Sequence, residues 1–276
     1  MNAFDFDNAP DRRGSGSYKW DSEPPCVSLR GDIIPLWVAD MDFSTAPCII
    51  EALHKRVDHG VFGYTYIPVA YYEALSGWLE RRHGYSVPRE KVICVPGVVP
   101  AVSAIIKALT APGEGVIVQT PVYNCFFSSI RNNGCSVVRN PLLREDRNDG
   151  TFTYGMDLLG LEKLASDPRN RVLLLCNPHN PGGRAWTRQE LEGVAEICLR
   201  HGVTVVSDEI HCDLTLQGHK FTSYATLGEE YTSRAIVCTS PSKAFNTAGL
   251  QIANIICGND DLRAVVDRAG NDNGGG

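Results

Sequence analysis

Seven short apolar runs between residues 91 and 257 restrict what this chain can fold into more than any other feature. They are 91–95, 115–119, 136–140, 171–176, 203–207, 235–239 and 251–257. Most are rich in Val, Ile, Leu or Cys and bounded by Gly, Pro, Asn, Asp or Ser. They are too short for helices and read as buried strands. Helical stretches fall between most of them, including 101–109 after Pro100 and 188–201 before the fifth strand. Two amphipathic helices precede the series, at 47–59 and 69–83, and another begins at Asp260. Alternation of this kind predicts an α/β fold: a seven-stranded, mainly parallel sheet with helices on both faces. Residues 1–35 read as an irregular arm, and Leu143–Gly150 reads as a solvated polar loop. There is no internal repeat.

Open α/β sheets bind ligands at the carboxyl ends of their strands, so the residues just past each run matter most. After 91–95 comes Pro96-Gly97-Val98-Val99-Pro100 and a helix. The free N–H groups of that helix start are either a phosphate site or an ordinary strand–turn–helix connection. After 115–119 comes Thr120-Pro121-Val122-Tyr123. That tyrosine can stack on an aromatic cofactor or sit as a core ring with a wet hydroxyl. After 171–176 comes Asn177-Pro178-His179-Asn180-Pro181-Gly182-Gly183, a stiff turn that can hold an amide towards a ligand.

Asp208 follows the next run, in Ser207-Asp208-Glu209-Ile210-His211. A carboxylate there needs a cationic or hydrogen-bonding partner, unless it simply caps the following segment. Finally, Ser240-Pro241-Ser242-Lys243 follows 235–239. A partly desolvated lysine can form a Schiff base with an aldehyde, although most lysines after strands are solvated. A phosphate cradle, an aromatic face, an amide donor, an anion and a lysine together match one cofactor, pyridoxal 5′-phosphate.

With these motifs the chain resembles the fold-type I, class I/II aminotransferase family over nearly its whole length. The resemblance implies a PLP-transferase-like large domain with an incomplete small domain. It implies that Lys243 is the Schiff-base lysine, that Asp208 pairs with the pyridine nitrogen, and that Tyr123 stacks on the ring. Asn180 and His211 would approach the ring hydroxyl oxygen. Ser240 and the backbone of Val98 and Val99 would hold the phosphate, and Tyr64 would reach the phosphate of a neighbouring subunit in a homodimer with a shared active site.

Asp11-Arg12-Arg13-Gly14, Lys19-Trp20-Asp21, Trp37–Phe43, Gly97–Pro100 and Ala248-Gly249-Leu250-Gln251 are most similar to the cystathionine β-lyase, or cysteine-S-conjugate β-lyase, branch. That branch implies release of thiol, pyruvate and ammonia from cystathionine or related conjugates. Gln251 stands where many family members carry a phosphate-gripping arginine eight residues after the lysine. Members also run on for about a hundred further residues, and those residues supply the arginine that binds the substrate carboxylate. The motifs assign that role to no residue here, neither to Arg12 nor to Arg13.

The expected organisation is therefore an arm and small-domain segment at 1–46, a cofactor-binding large domain at 47–269 and a flexible tail at 270–276, with the C-terminal small domain absent. Two other functions use the same parts. One is an aminotransferase, which shares the lysine, aspartate and cofactor; the other is a non-catalytic cofactor-binding fragment.

Composition narrows the partners. A net charge of −6 with interspersed signs argues against nucleic acid. No apolar run approaches the roughly 20 residues of a membrane span, and Met1–Asp7 lacks a signal-peptide core. The expectation is a cytoplasmic enzyme with a small amino-acid substrate. The 10 cysteines are unclustered, without a Cys-x-x-Cys, and those at 94, 176, 238 and 257 lie in apolar runs. They read as small buried residues in a reducing compartment. The histidines show no ligand spacing, so no metal is expected.

Overall fold

A computed structural model describes residues 5–22 and 34–271. The arm reading at 1–4 and 23–33, and the tail reading at 272–276, lie outside the described residues. The chain divides into two compact units: residues 1–66 with Pro241–Leu250, and residues 67–240 with 251–276.

Among the described residues, the first unit holds the α-helices α1 (Tyr18–Asp21) and α2 (Pro47–His59). Pro47 fits the first turn of α2, where a missing N–H costs nothing, and Gly60 ends it at φ 72°. A charge network ties the arm together. Arg12 pairs with Asp40 at 2.7 Å and Asp42 at 2.8 Å, and Lys19, only 3% exposed, pairs with Asp42 at 2.8 Å. The indole N–H of Trp20 donates to Asp42 at 2.8 Å. Two cations against two carboxylates leave this half-buried cluster neutral, which is the condition for burying it. The Arg12 guanidinium beside Asp40 holds that carboxyl below its ordinary range.

The second unit begins with α3 (Val69–His83) and continues β1 (Val92–Val95), α4 (Val98–Leu109), β2 (Gly115–Thr120), α5 (Asn124–Asn132) and β3 (Ser136–Pro141). Next come β4 (Leu143–Asp146), β5 (Phe152–Gly155), α6 (Leu158–Ala165), β6 (Asn170–Cys176) and α7 (Arg188–His201). It closes with β7 (Thr204–Asp208), α8 (Glu229–Thr232), β8 (Ala235–Thr239), β9 (Ala253–Ile256) and α9 (Asp260–Asn271).

Seven of these strands form one sheet in the order β1-β9-β8-β7-β6-β2-β3. The five from β8 to β3 run parallel, and β9 is antiparallel to both its neighbours. All seven expected runs are strands of this sheet. The near-continuous apolar runs of β2, β6 and β8 follow from burial on both faces. In β6, Leu173 and Leu175 point into one core with residues of α6 and α7. Val172 and Leu174 point into the other core with residues of α4, α5 and α9.

Two expectations change. α4 begins at Val98, so Pro100 occupies its third position, still within the turn whose N–H groups have no helical partner. The polar stretch after Leu142 is an antiparallel hairpin, with Leu143–Asp146 paired to Phe152–Gly155 around a turn at Gly150, φ 80°. Every residue of β4 is exposed. It therefore lacks the alternating apolar signal by which a strand is recognised in sequence.

Candidate active site

The order of the sheet fixes where its ligand-binding edge lies. From β2 the chain steps outward to β3, then returns to β6 on the other side of β2 and proceeds through β7 to β8. The strand order reverses between β2 and β6, and open sheets leave a crevice at such a reversal. Tyr123 follows β2, and Asn177–Gly183 follow β6. The two loops are joined directly: the ring of His179 meets the Pro121 carbonyl at 2.7 Å through Nε2. His179 is 3% exposed, and burial pushes its pKa down, so the ring is neutral and donates here. Nothing in the motif around His179 reveals this role, because its partner lies 58 residues away.

The two asparagines of that motif do different work. Asn177 is fully buried and holds the scaffold. Its N–H donates to the Asp208 carbonyl at 2.9 Å, its Nδ2 to the Thr222 carbonyl at 2.9 Å, and its Oδ1 accepts the Trp186 N–H at 3.3 Å. Asn180 is half-buried at the turn, with its N–H on the Cys176 thiol sulfur at 3.3 Å.

Cys176, Asp208 and Cys238 share one register row across β6, β7 and β8. Asp208 is 4% exposed, and its Oδ1 accepts the Ile210 N–H at 3.1 Å. Tyr123 is half-buried, and its phenol is pushed up first by burial, with the charge of Asp208 acting in the same direction. These two residues therefore share an electrostatic neighbourhood.

Beside Asp208, Glu209 is 1% exposed. It accepts Ser207 Oγ at 3.0 Å, Ser223 Oγ at 2.6 Å and the Tyr224 N–H at 2.8 Å. Burial nevertheless outweighs these bonds and raises its pKa to about 7. A carboxyl that holds its proton more tightly folded than unfolded loses stability as pH rises. The loss runs from about 4.5 through about 7, amounts to about 3 kcal/mol and levels off above. Glu209→Gln is expected to flatten that slope in urea unfolding measured from pH 5 to 8. An unchanged slope would place the titration elsewhere. The sequence carried no sign of this group, because a Glu next to a strand end is ordinarily solvated.

The phosphate-side residues lie at the same edge. Gly97 precedes α4 without a side-chain cap, so the N–H groups of Val98 and Val99 at the first turn have no helical partner. Val98 is buried and Val99 is 37% exposed. Ser240 is 7% exposed and its hydroxyl donates to the Ile252 carbonyl at 2.7 Å. Just before it, Thr239 Oγ1 is buried and finds no partner among the described residues. His211 is half-buried, and Gln251 is exposed with φ 51°.

Lys243 and Tyr64 belong to the first unit. The Lys243 amine donates to the Ala39 carbonyl at 2.9 Å. Tyr64 is fully exposed. Arg12 is engaged by Asp40 and Asp42, which leaves no support for it as a substrate-carboxylate cation.

Among the described residues, His83, Cys212 and Asp213 bring ligand atoms within 4.8 Å of one another. The Asp213 carboxylate is already bound by His83 at 2.9 Å and by the Trp78 indole N–H, while burial pushes the Cys212 thiol up. The cluster is a hydrogen-bonded contact that seats α3. Every described cysteine is free; Cys176, Cys238 and Cys257 are buried, and Cys94 is partly so. No helix among the described residues is long and apolar enough to cross a membrane.

Comparison with known proteins agrees with this geometry. The chain is 46% identical to cystathionine beta-lyase PatB of Bacillus subtilis over 253 residues, covering 92% of this chain and 64% of that protein. It is 38% identical to MalY of Escherichia coli, covering 94% of this chain and 65% of that protein. The chain thus spans about two thirds of the length of these relatives. The crystal structure of cystalysin from Treponema denticola, which contains a pyridoxal 5′-phosphate cofactor, superposes with a TM-score of 0.91 at 38% identity. That match covers 99% of this chain and 68% of that one. The aminotransferase class I and II family matches residues 31–273, and the chain belongs to that family.

Proposed function

We propose that the protein is a pyridoxal 5′-phosphate-dependent carbon–sulfur β-lyase acting on cystathionine or related cysteine S-conjugates. The observation that carries the reading is the collection of Tyr123, Asn180, Asp208 and the uncapped start of α4 at the carboxyl ends of one sheet. The likeness to PatB and to cystalysin favours lyase chemistry over amino transfer. The donor set suits the cofactor. It offers a buried carboxylate for a protonated ring nitrogen, amide N–H groups for a phosphate, and a buried hydroxyl at Thr239 with no partner among the described residues.

When bound, pyridoxal phosphate supplies an aldehyde that links to an amine and a ring that takes up the electron pair left at a substrate α-carbon. Lys243 would be the amine that anchors it, and the same amine would serve as the general base for the substrate α-proton. Asp208, its carboxylate fixed by the Ile210 N–H, would hold a proton on the ring nitrogen. Tyr123 would stack on the ring, and Asn180 and His211 would approach the ring hydroxyl oxygen. Val98, Val99 and Ser240 would hold the phosphate. Once Lys243 has taken the α-proton, the thiolate leaves from the β-carbon, and with water the remaining fragment becomes pyruvate and ammonia.

A homodimer working in the cytoplasm belongs to the same proposal, with Tyr64 reaching the neighbouring subunit's phosphate. The supporting observation is that α2 buries no residue and exposes Leu53 and Val57, while Phe62 and Tyr64 are also exposed. The test is incubation of the cofactor-loaded protein with cystathionine. Thiol and pyruvate in equal amounts, without added keto acid, are expected. Product formation only when a keto acid accepts the amino group would establish an aminotransferase instead.

A further inference from the structure

We propose that Asn246 is a positioning residue for Lys243, clamping the lysine loop onto the segment that receives the lysine amine. The proposal rests on the reading that Lys243 links to the cofactor.

Asn246 lies three residues after Lys243 and has φ 53°. This left-handed conformation is strained for most side chains and mildest for Gly and Asn. If the turn alone mattered, glycine would serve equally well. The asparagine adds three hydrogen bonds that glycine lacks. Its Oδ1 accepts the Met41 N–H at 3.0 Å, and its Nδ2 donates to the Met41 carbonyl at 3.0 Å and the Phe43 carbonyl at 2.9 Å. The two-point contact with Met41 fixes register. Ala39, whose carbonyl accepts the Lys243 amine at 2.9 Å, is two residues away.

Within the loop, Phe245 N–H bonds to Pro241 O and Thr247 N–H to Ser242 O, both at 3.0 Å, so Lys243 and Asn246 move as one piece. Thr45 Oγ1 donates to the Phe245 carbonyl at 2.6 Å and adds a further tie. A lysine amine sits at the end of a flexible four-carbon stem. Its position is set by where the backbone is held and by what the tip touches, and Asn246 governs the first.

The test compares the wild type with Asn246→Gly and Asn246→Ala. Each is mixed with pyridoxal phosphate and reduced with borohydride at timed intervals to give the labelling rate of Lys243. The absorbance of the linked cofactor is followed against pH, and melting is recorded separately. Both variants are expected to label at least about tenfold more slowly, since misplacement by about 1 Å can cost on the order of 10²-fold. Both are expected to show a displaced pH midpoint. A merely structural role would lower the melting temperature and leave the rate and midpoint of the folded protein unmoved.

Wild-type rate and midpoint in folded Asn246→Gly would overturn the proposal, as would a defect confined to Asn246→Ala, which would indicate backbone conformation alone. No labelling of the wild type would instead refute the cofactor reading itself. Should both variants fail to fold, hydrogen exchange of the Met41 amide in the wild type decides. Coupling is reciprocal, so linking Lys243 must increase Met41 protection, and unchanged protection would contradict the clamp.

Discussion

Lys243→Ala is expected to abolish covalent capture of pyridoxal phosphate while leaving the fold intact. Among the described residues the side chain makes one hydrogen bond, to the Ala39 carbonyl at the surface of the first unit. Its loss should change stability by only about 1 kcal/mol. The chemical loss is complete by contrast, because alanine offers no amine. The variant should retain wild-type melting and show no borohydride-stable absorbance after desalting, and turnover of cystathionine should fall to background. Retained covalent capture in the variant would remove Lys243 from its assigned role.

Asp208→Asn should separate binding from chemistry. The backbone around this position is held independently of the carboxylate. Its carbonyl accepts the Asn177 N–H, and the next N–H bonds to Cys238. An asparagine Oδ1 can still accept the Ile210 N–H. The local turn should therefore survive, and the cofactor should still load. An amide cannot balance the charge of a protonated ring nitrogen. Losing one partner of a buried charged pair costs about 3–5 kcal/mol, which corresponds to a fall of about 10²- to 10⁴-fold in reaction with an amino acid. Equal single-turnover rates in the loaded variant and wild type would show that the carboxylate does not support the ring.

All seven strands of the main sheet were legible in the sequence, five of them because they are buried on both faces. A run such as Val172–Cys176 announces its environment by composition alone. The hairpin of β4 and β5 was not legible, since β4 is exposed throughout and its charged residues read as loop. The site was legible as a set of strand ends, because in an open sheet those ends converge by topology. What the sequence did not reveal were long-range contacts of ordinary-looking residues. His179 ties the loop after β6 to the loop after β2 across 58 positions. Asn246 grips Met41 across 205. Glu209 gathers Ser223 and Tyr224 from a segment with no motif of its own. Arg12 sat in a recognisable motif, yet only the structure shows that Asp40 and Asp42 engage it.

The central claim is that one lysine, four residues beyond the end of β8, anchors the cofactor. The most direct measurement is to load the wild-type protein with pyridoxal phosphate, reduce it with borohydride, digest it and locate the modified residue by mass spectrometry. The expected result is a single stoichiometric label on Lys243. Labelling spread over Lys91, Lys107, Lys163 and Lys220, or folded protein with no label, would contradict it.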